Sequence, residues 1–438
     1  MRKSSATTDP GRFGTATFRS LQTRNYRLFF FGQMASLTGT WVQTIALGWL
    51  VLHLSHNSGF AVGLAIALQF LPTLLFGVWG GVVADRFDKR TVIIFTQMAM
   101  AISAAVLAVL TLTGAVELGV IYAIVLFNGF ALAVDNPARQ AFVPEMVTAP
   151  ELPNAIGLNS ALFQVARIAG PAIAGVLIVA VGTGICFAIN AVSFVAVIGA
   201  LLAMRPAELY RSAPVERAKG QIRAGLRYVW HTAELRSTLL LTAIVGTFAI
   251  NFPVVLPLLA KITFDGTAET YSWMTIAMGL GALVGALGVA SRTEARGDVL
   301  LVAGFGFGIA ICAAALSPTV PFFLAVSVLV GAGQIAFLAT CNSLIQLRSD
   351  PAMRGRVMAV YMITLLGSTP IGGPLVGWIS EEYGPRWGLG IGGIATVLAV
   401  GYFGTAYVRA RRAAGGEPDI ELALGPDGEA IPASATRF

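Results

Sequence analysis

Windows of about 20 mostly apolar residues, the length a helix needs to cross a bilayer, recur twelve times along this chain. They fall at roughly 28–54, 60–84, 91–113, 118–138, 156–180, 184–204, 237–260, 271–291, 298–316, 321–345, 356–379 and 387–408. In hydrocarbon every backbone polar group must find its partner within the segment, so runs this long are predicted to be helices. The polar positions between them are unevenly charged. When the connections are numbered alternately, all but three of the 29 Lys and Arg residues fall in one set. That set holds the N-terminus, the loops starting near Asp85, Asp135, Arg205, Ser291 and Gln346, and the C-terminal tail. Lys261 and Arg386 lie in the opposite set, and Arg167 falls inside a span. Basic residues stay on the cytoplasmic side because carrying them across during insertion is unfavourable. The pattern predicts an all-α, multi-pass protein of the plasma membrane, the bacterial cell membrane, with both termini in the cytosol.

Composition agrees with this. Of the 438 residues 56% are hydrophobic and 12% charged, about half the charge of a soluble domain. The net charge of +7 is spread over short connectors, so it reads as an orienting device and not as a nucleic-acid surface. No cleavable signal is expected, because Arg2, Lys3, Arg12, Arg19, Arg24 and Arg27 precede a first window too long for a signal h-region. Cys186, Cys312 and Cys341 all fall in spans without metal-ligand spacing, so neither a metal nor a disulfide is expected. Metalloprotease, phosphate-loop and nucleophile-elbow motifs are lacking. Gly304-Phe305-Gly306-Phe307-Gly308 lies inside span nine and reads as helix packing. No enzymatic activity and no cofactor are expected.

The spans divide six and six. Residues 1–27 form a cytoplasmic N-terminus, 28–204 a first bundle, 205–236 a basic linker, 237–408 a second bundle, and 409–438 a tail whose composition from Gly415 onward suggests disorder. Within the linker, Val215, Ile222, Leu226, Val229 and Trp230 recur near helical spacing. This suggests a helix in the membrane interface, with a plain connector as the alternative. The halves echo each other: Gly170-Pro171 with Gly175 resembles Gly373-Pro374 with Gly377, and Ala133-x-x-Asn136 resembles Ala339-x-x-Asn342. A duplicated six-helix unit of this kind is the parallel repeat of many secondary transporters.

Between spans two and three the chain reads Gly81-Val82-Val83-Ala84-Asp85-Arg86-Phe87-Asp88-Lys89-Arg90. This resembles the G-x-x-x-D-R-x-G-R-R/K loop of the major facilitator superfamily, with Asp88 where the family usually has glycine. Span five resembles that superfamily's antiporter signature through Gly157, Ala166, Gly170, Pro171, Ala174 and Gly175. The run Asp135-Asn136-Pro137-Ala138-Arg139, Arg167 ahead of Gly170-Pro171, and Arg354-Gly355-Arg356-Val357 look like the branch of enterobactin-type siderophore exporters and macrolide efflux pumps. The resemblance covers roughly residues 20–410. It implies two pseudo-symmetric six-helix bundles, a conformational latch at Gly81, Asp85, Arg86, Lys89 and Arg90, and a cavity lined by spans one, four, seven and ten. It implies a gating seam at Gly157, Gly170, Pro171, Gly175, Gly373, Pro374 and Gly377.

For the loop, the alternative is that Arg86, Lys89 and Arg90 only set topology. On span four, Asn128, Asp135 and Arg139 share one helix face. Asp135 either pairs with Arg139 at i+4 as a structural bridge or titrates during transport. Arg167 is the sharpest anomaly, because an arginine inside a span costs a few kcal/mol even on the lenient insertion scale and marks function by default. If shallow, it is within reach of Asp135. If deep, no carboxylate is expected at its level, and it is available to an anionic substrate or a charge network. Gln33, Ser36, Thr40 and Thr44 form a polar stripe on span one beside Trp41 and Gln43; Asn251, Gln334 and Asn342 add polar groups on spans seven and ten. Such stripes serve as interhelical glue or as a wet pathway. The expectation is a monomeric, proton-coupled exporter of an amphiphilic small molecule, a siderophore or a drug, working by alternating access. A facilitator or importer of the same fold, and a non-transporting sensor or scaffold, are the alternatives.

Overall fold

The computed structural model describes residues 18–210, 221–290, 297–351 and 353–413; for 78, 85, 221–223, 290 and 406–413 the backbone alone is described. Twelve helices are long and apolar enough to cross a membrane, and no strand occurs among the described residues. The chain is a multi-pass membrane protein of the expected all-α class. Spans one to six are Arg24–Leu54, Gly59–Arg86, Lys89–Leu112, Leu118–Met146, Leu152–Val181 and Thr183–Leu202. Span seven runs Ala233–Thr263. Spans eight to twelve are Ala268–Ala290, Gly297–Ala315, Val320–Arg348, Arg354–Glu382 and Pro385–Ala413.

Two boundaries differ from the sequence expectation. Span four does not end near Pro137; it continues through Pro137 and Pro144 to Met146. A proline removes one backbone donor, and in a membrane helix neighbouring groups re-satisfy the freed carbonyl. Asp135 and Arg139 therefore lie inside a helix and not at the start of a loop. Span seven is not one continuous helix. Its first part, Ala233–Phe248, ends at Ala249, Asn251 has a non-helical ψ of 33°, and Phe252–Leu258 then leads into the π-helical turn Leu259–Thr263. Pro253, without an N–H group, cannot donate to the Ala249 carbonyl and so removes a bond that would have joined the first two pieces.

Close glycine contacts set how the helices pack. Gly80 lies against the Ala133 carbonyl and Gly129 against Gln69 and Pro72, joining spans two and four. In the second half Gly281 meets the Val328 carbonyl and Gly331 the Met278 carbonyl, joining spans eight and ten in the corresponding way. Without a hydrophobic drive between helices in lipid, such close backbone approach provides the association energy through dispersion.

One face of the bundle carries the chain entry and the basic connectors, here called the basic face. There Ser20 bonds Asn154, Tyr26 Oη donates to the Ala155 carbonyl at 2.8 Å, and Asn25 bonds Arg205. An apolar cluster of Tyr26, Phe29, Ile93, Phe142, Met146 and Leu201 closes the first bundle at this end. On the linker, a helix at Gln221–His231 packs Gly225 on the Arg356 backbone and buries Val229. The expected helical stretch at 213–220 lies outside the described residues.

Between the bundles, spans two and eleven run antiparallel. Gly59 and Gly63 lie against the carbonyls of Gly377 and Gly373 in the half remote from the basic face. Spans five and eight form the matching seam, where Gly175 meets Ser272 and Gly279 meets Ile168. The far half of the interface is tight. Towards the basic face it loosens, since a Cβ built at Gly157 or Gly355 would meet nothing within 4 Å among the described residues.

Candidate functional site

At the basic end of span two, Gly81 is buried and Arg86 is exposed; the Asp85 side chain, on which the expected latch falls, lies outside the described residues. The glycine of the family loop is replaced by Asp88 for a visible reason. Its carboxylate caps span three, accepting from Thr91 N at 3.0 Å and Thr91 Oγ1 at 2.7 Å. Lys89 donates to Glu145 Oε1 at 2.6 Å, with both side chains mostly buried. Arg90 donates to the Leu201 and Leu202 carbonyls, filling acceptors that the end of span six leaves open. Lys89 and Arg90 thus tie spans three, four and six together within one bundle.

A polar cluster is built deeper in that bundle around Asp135, which is 0% exposed. Its Oδ1 accepts from Thr96 Oγ1 at 2.6 Å and from Gln97 Nε2 at 3.1 Å, both on span three. Arg139 Nε stands 2.7 Å from Oδ2, but its N–H is not aimed well enough to count as a hydrogen bond, so the attraction is chiefly coulombic. The same guanidinium donates to Gln33 Oε1 at 2.8 Å on span one and to Asn136 Oδ1 at 3.2 Å. Ser36 Oγ reaches Gln97 Oε1 at 3.4 Å. One buried ion pair therefore joins spans one, three and four. Thr96 and Gln97 were not singled out in the sequence, although a polar pair inside an apolar run was a signal for them.

Along span one, Thr40 and Thr44 turn their hydroxyls back onto the carbonyls four residues earlier. Gln43 accepts from Asn190 Nδ2 at 2.7 Å, joining spans one and six. Trp41 packs edge-on against Phe163, with ring centroids 6.1 Å apart, and against Gly170. Asn342 accepts from Gln346 Nε2 one turn along its own helix at 2.8 Å.

Arg167 lies midway along span five and donates to Gln334 Oε1, midway along span ten, at 3.4 Å. Its bond crosses from one bundle to the other. Asp135, committed to Arg139, is not its partner. Asn251 sits at the break in span seven, donating to the Thr247 carbonyl at 2.6 Å while its Oδ1 finds no partner among the described residues. Asn128 Oδ1 on span four is likewise buried and, among the described residues, unpartnered. Of the seam residues, Gly170, Gly175, Gly373 and Gly377 meet other spans, Pro171 is buried beside Gly170, and Pro374 lies against Gly63. Among the described residues, Gly157 touches nothing across the interface in this conformation. No group of three or more His, Cys, Asp or Glu residues fit to hold a metal occurs among the described residues.

The arrangement has counterparts. The bacterial homologue of the human lysosomal transporter Spinster, in an inward-facing and occupied conformation, superposes with a TM-score of 0.70 at 14% identity, covering 91% of this chain and 99% of that one. A POT family transporter in complex with a thioalcohol-conjugated peptide gives 0.70 at 12% identity, covering 90% and 99%. These show the fold. By sequence, the staphyloferrin A transporter of Staphylococcus aureus is 25% identical over 380 residues, covering 85% of this chain and 93% of its own length. The multidrug efflux pump Tap of Mycobacterium tuberculosis is 29% identical, covering 82% and 87%. Macrolide efflux protein A of Streptococcus pyogenes is 23% identical, covering 86% and 95%. The family model for transmembrane secretion effectors matches residues 15–420. With the twelve-helix fold and the transporter relatives, that match makes the chain a member of the transmembrane secretion effector family, transporters of the major facilitator superfamily and not enzymes.

Proposed function

We propose that this protein is a proton-coupled exporter of an amphiphilic small molecule, siderophore-like or drug-like, working by alternating access as a monomer in the bacterial cell membrane. The basic face is then the cytosolic one, as the asymmetry of Lys and Arg favours. The tight far half of the bundle seam and the open surroundings of Gly157 and Gly355 support a conformation open to the cytosol, ready to load an export substrate. The relatives named for a siderophore, for several drugs and for macrolides support export of such compounds.

One observation carries the coupling: a fully buried carboxylate, Asp135, holds an arginine that also grips a second helix through Gln33. A proton on Asp135 removes the charge that holds Arg139. Loss of one partner of a buried pair costs about 3–5 kcal/mol, comparable with the barrier changes a transport cycle needs. Arg139, once released, loosens span one from spans three and four. The membrane potential supplies about 2.3 kcal/mol per charge per 100 mV, enough to drive the return. In the other half of the cycle, a latch of the Asp85 loop on span eleven, near Arg354 and Arg356, would close the cytosolic side.

The test is uptake of ethidium or a labelled macrolide into everted vesicles under an imposed proton gradient. Uptake that follows the gradient in the wild type and ignores it in Asp135→Asn supports the reading. Gradient-independent flux in the wild type would assign a facilitator instead.

A further inference from the structure

The geometry points to an anion-binding subsite at Arg167, flanked by an aromatic surface, that selects substrates joining a carboxylate to an aromatic or similarly flat apolar group. It rests on the export reading only for the direction in which such a ligand would move.

Three observations converge. Arg167 lies midway through span five, about 22 Å from the basic end of that helix at 1.5 Å per residue, and is partly buried. Among the described residues its hydrogen-bond partner is the neutral amide of Gln334, and no carboxylate pairs with it. Water hydrates a guanidinium far better than one amide oxygen does, so a cation at this depth is stabilised by whatever anion reaches it. A planar guanidinium offers paired donors that match a carboxylate.

The direction in which Arg167 faces is fixed by its bond across the bundle interface to span ten. Phe163 lies one turn nearer the basic face on the same helix stripe, and its ring is 46% exposed. Trp41 of span one rests against Phe163 and against Gly170, one turn beyond Arg167. Arg167 thus lies within one turn of Phe163 and Gly170, the two span-five residues that Trp41 touches. At its level span eight comes close at Gly279, whose Cβ position is 3.6 Å from the Arg167 carbonyl. A larger residue there would crowd the span-five backbone. The Gln334 bond at 3.4 Å is long enough for an entering carboxylate to displace, after which the amide N–H can donate to the same anion.

The experiment uses the purified full chain in detergent and a matched pair of probes, 2-naphthoate and neutral 2-naphthamide. Unfolding is followed with a thiol-reactive fluorogenic dye, since Cys186 and Cys341 are buried in the folded protein. Naphthoate is expected to raise Tm by about 3 °C through ligand linkage, and naphthamide by much less. Arg167→Lys is expected to keep the preference and Arg167→Gln to abolish it. No preference in the wild type, a preference that survives in Arg167→Gln, or one lost equally in Arg167→Lys would overturn the subsite. Ethidium efflux from cells reports export separately. Efflux without anion preference removes the subsite alone; anion preference without any efflux removes export alone.

Discussion

Ser58 and Glu381 fasten the two bundles together at the face remote from the basic connectors. Glu381, near the end of span eleven, accepts from Ser58 Oγ at 2.7 Å and from the Phe60 backbone N–H at 3.0 Å. Ser58 is itself the cap of span two, accepting from Ala61 N. A carboxylate from one bundle thus sits on the positive end of a helix in the other, next to the crossings of Gly59 with Gly377 and Gly63 with Gly373. Any state that opens this face must break it.

Glu381→Gln therefore shifts the conformational balance toward opening of that face. At an exposed helix N-terminus the charge is worth about 1 kcal/mol, or roughly a fivefold change in the ratio of states. Spin-label distances between cysteines placed at Asn57 and Tyr383 report it directly. An unchanged distance distribution would mean that the bonds form without weighting either state.

The seam makes a sharper contrast. A Cβ at Gly63 collides with the Gly373 backbone, where no flexible side chain can yield. Gly63→Val is expected to insert normally and to block closure of the far face, with transport lost. Gly157→Ala, with open space around its Cβ, is expected to leave flux unchanged and stability within about 0.5 kcal/mol. Equal loss of flux in both variants would place a tight contact at Gly157 in another state of the cycle.

Span three supplies the next test. Thr96→Val and Gln97→Leu each delete a donor to the buried Asp135 carboxylate. Hydrogen bonds to charged groups contribute about 1.5–3 kcal/mol each, so both variants should lower Tm in detergent. They should also slow gradient-driven uptake into everted vesicles, because the donors that hold the ion pair between spans three and four are removed. A lower Tm with unchanged gradient-driven uptake would restrict the cluster to a structural role.

These same residues show where sequence reading stops. The twelve spans are legible because bilayer thickness dictates their length and composition, whatever packs against them. The pairing of Asp135 with Arg139 lies four residues away along one helix, so spacing alone reveals it as an option. Thr96 to Asp135, Arg167 to Gln334 and Ser58 to Glu381 join helices far apart in sequence, and no local pattern encodes which faces meet. Span four misleads for a different reason. Pro137 and Pro144 read as breakers by rules calibrated in water, whereas in a membrane an interrupted helix is still better than an exposed backbone.

Asn251 tests whether the break in span seven is functional or only a fault in the helix. Its Oδ1 is buried without a partner among the described residues, and an unsatisfied buried acceptor costs about 1–3 kcal/mol. Asn251→Leu removes that acceptor in a stretch whose next apolar residues, Phe252, Val254 and Val255, are all buried. The variant is expected to melt higher than the wild type and to transport more slowly. Stability sacrificed at such a position is the mark of a group kept for a ligand or a moving part. Leucine giving both a higher Tm and full flux would reduce Asn251 to a tolerated defect. Pro253, which cannot donate to the Ala249 carbonyl, would then be sufficient cause for the break.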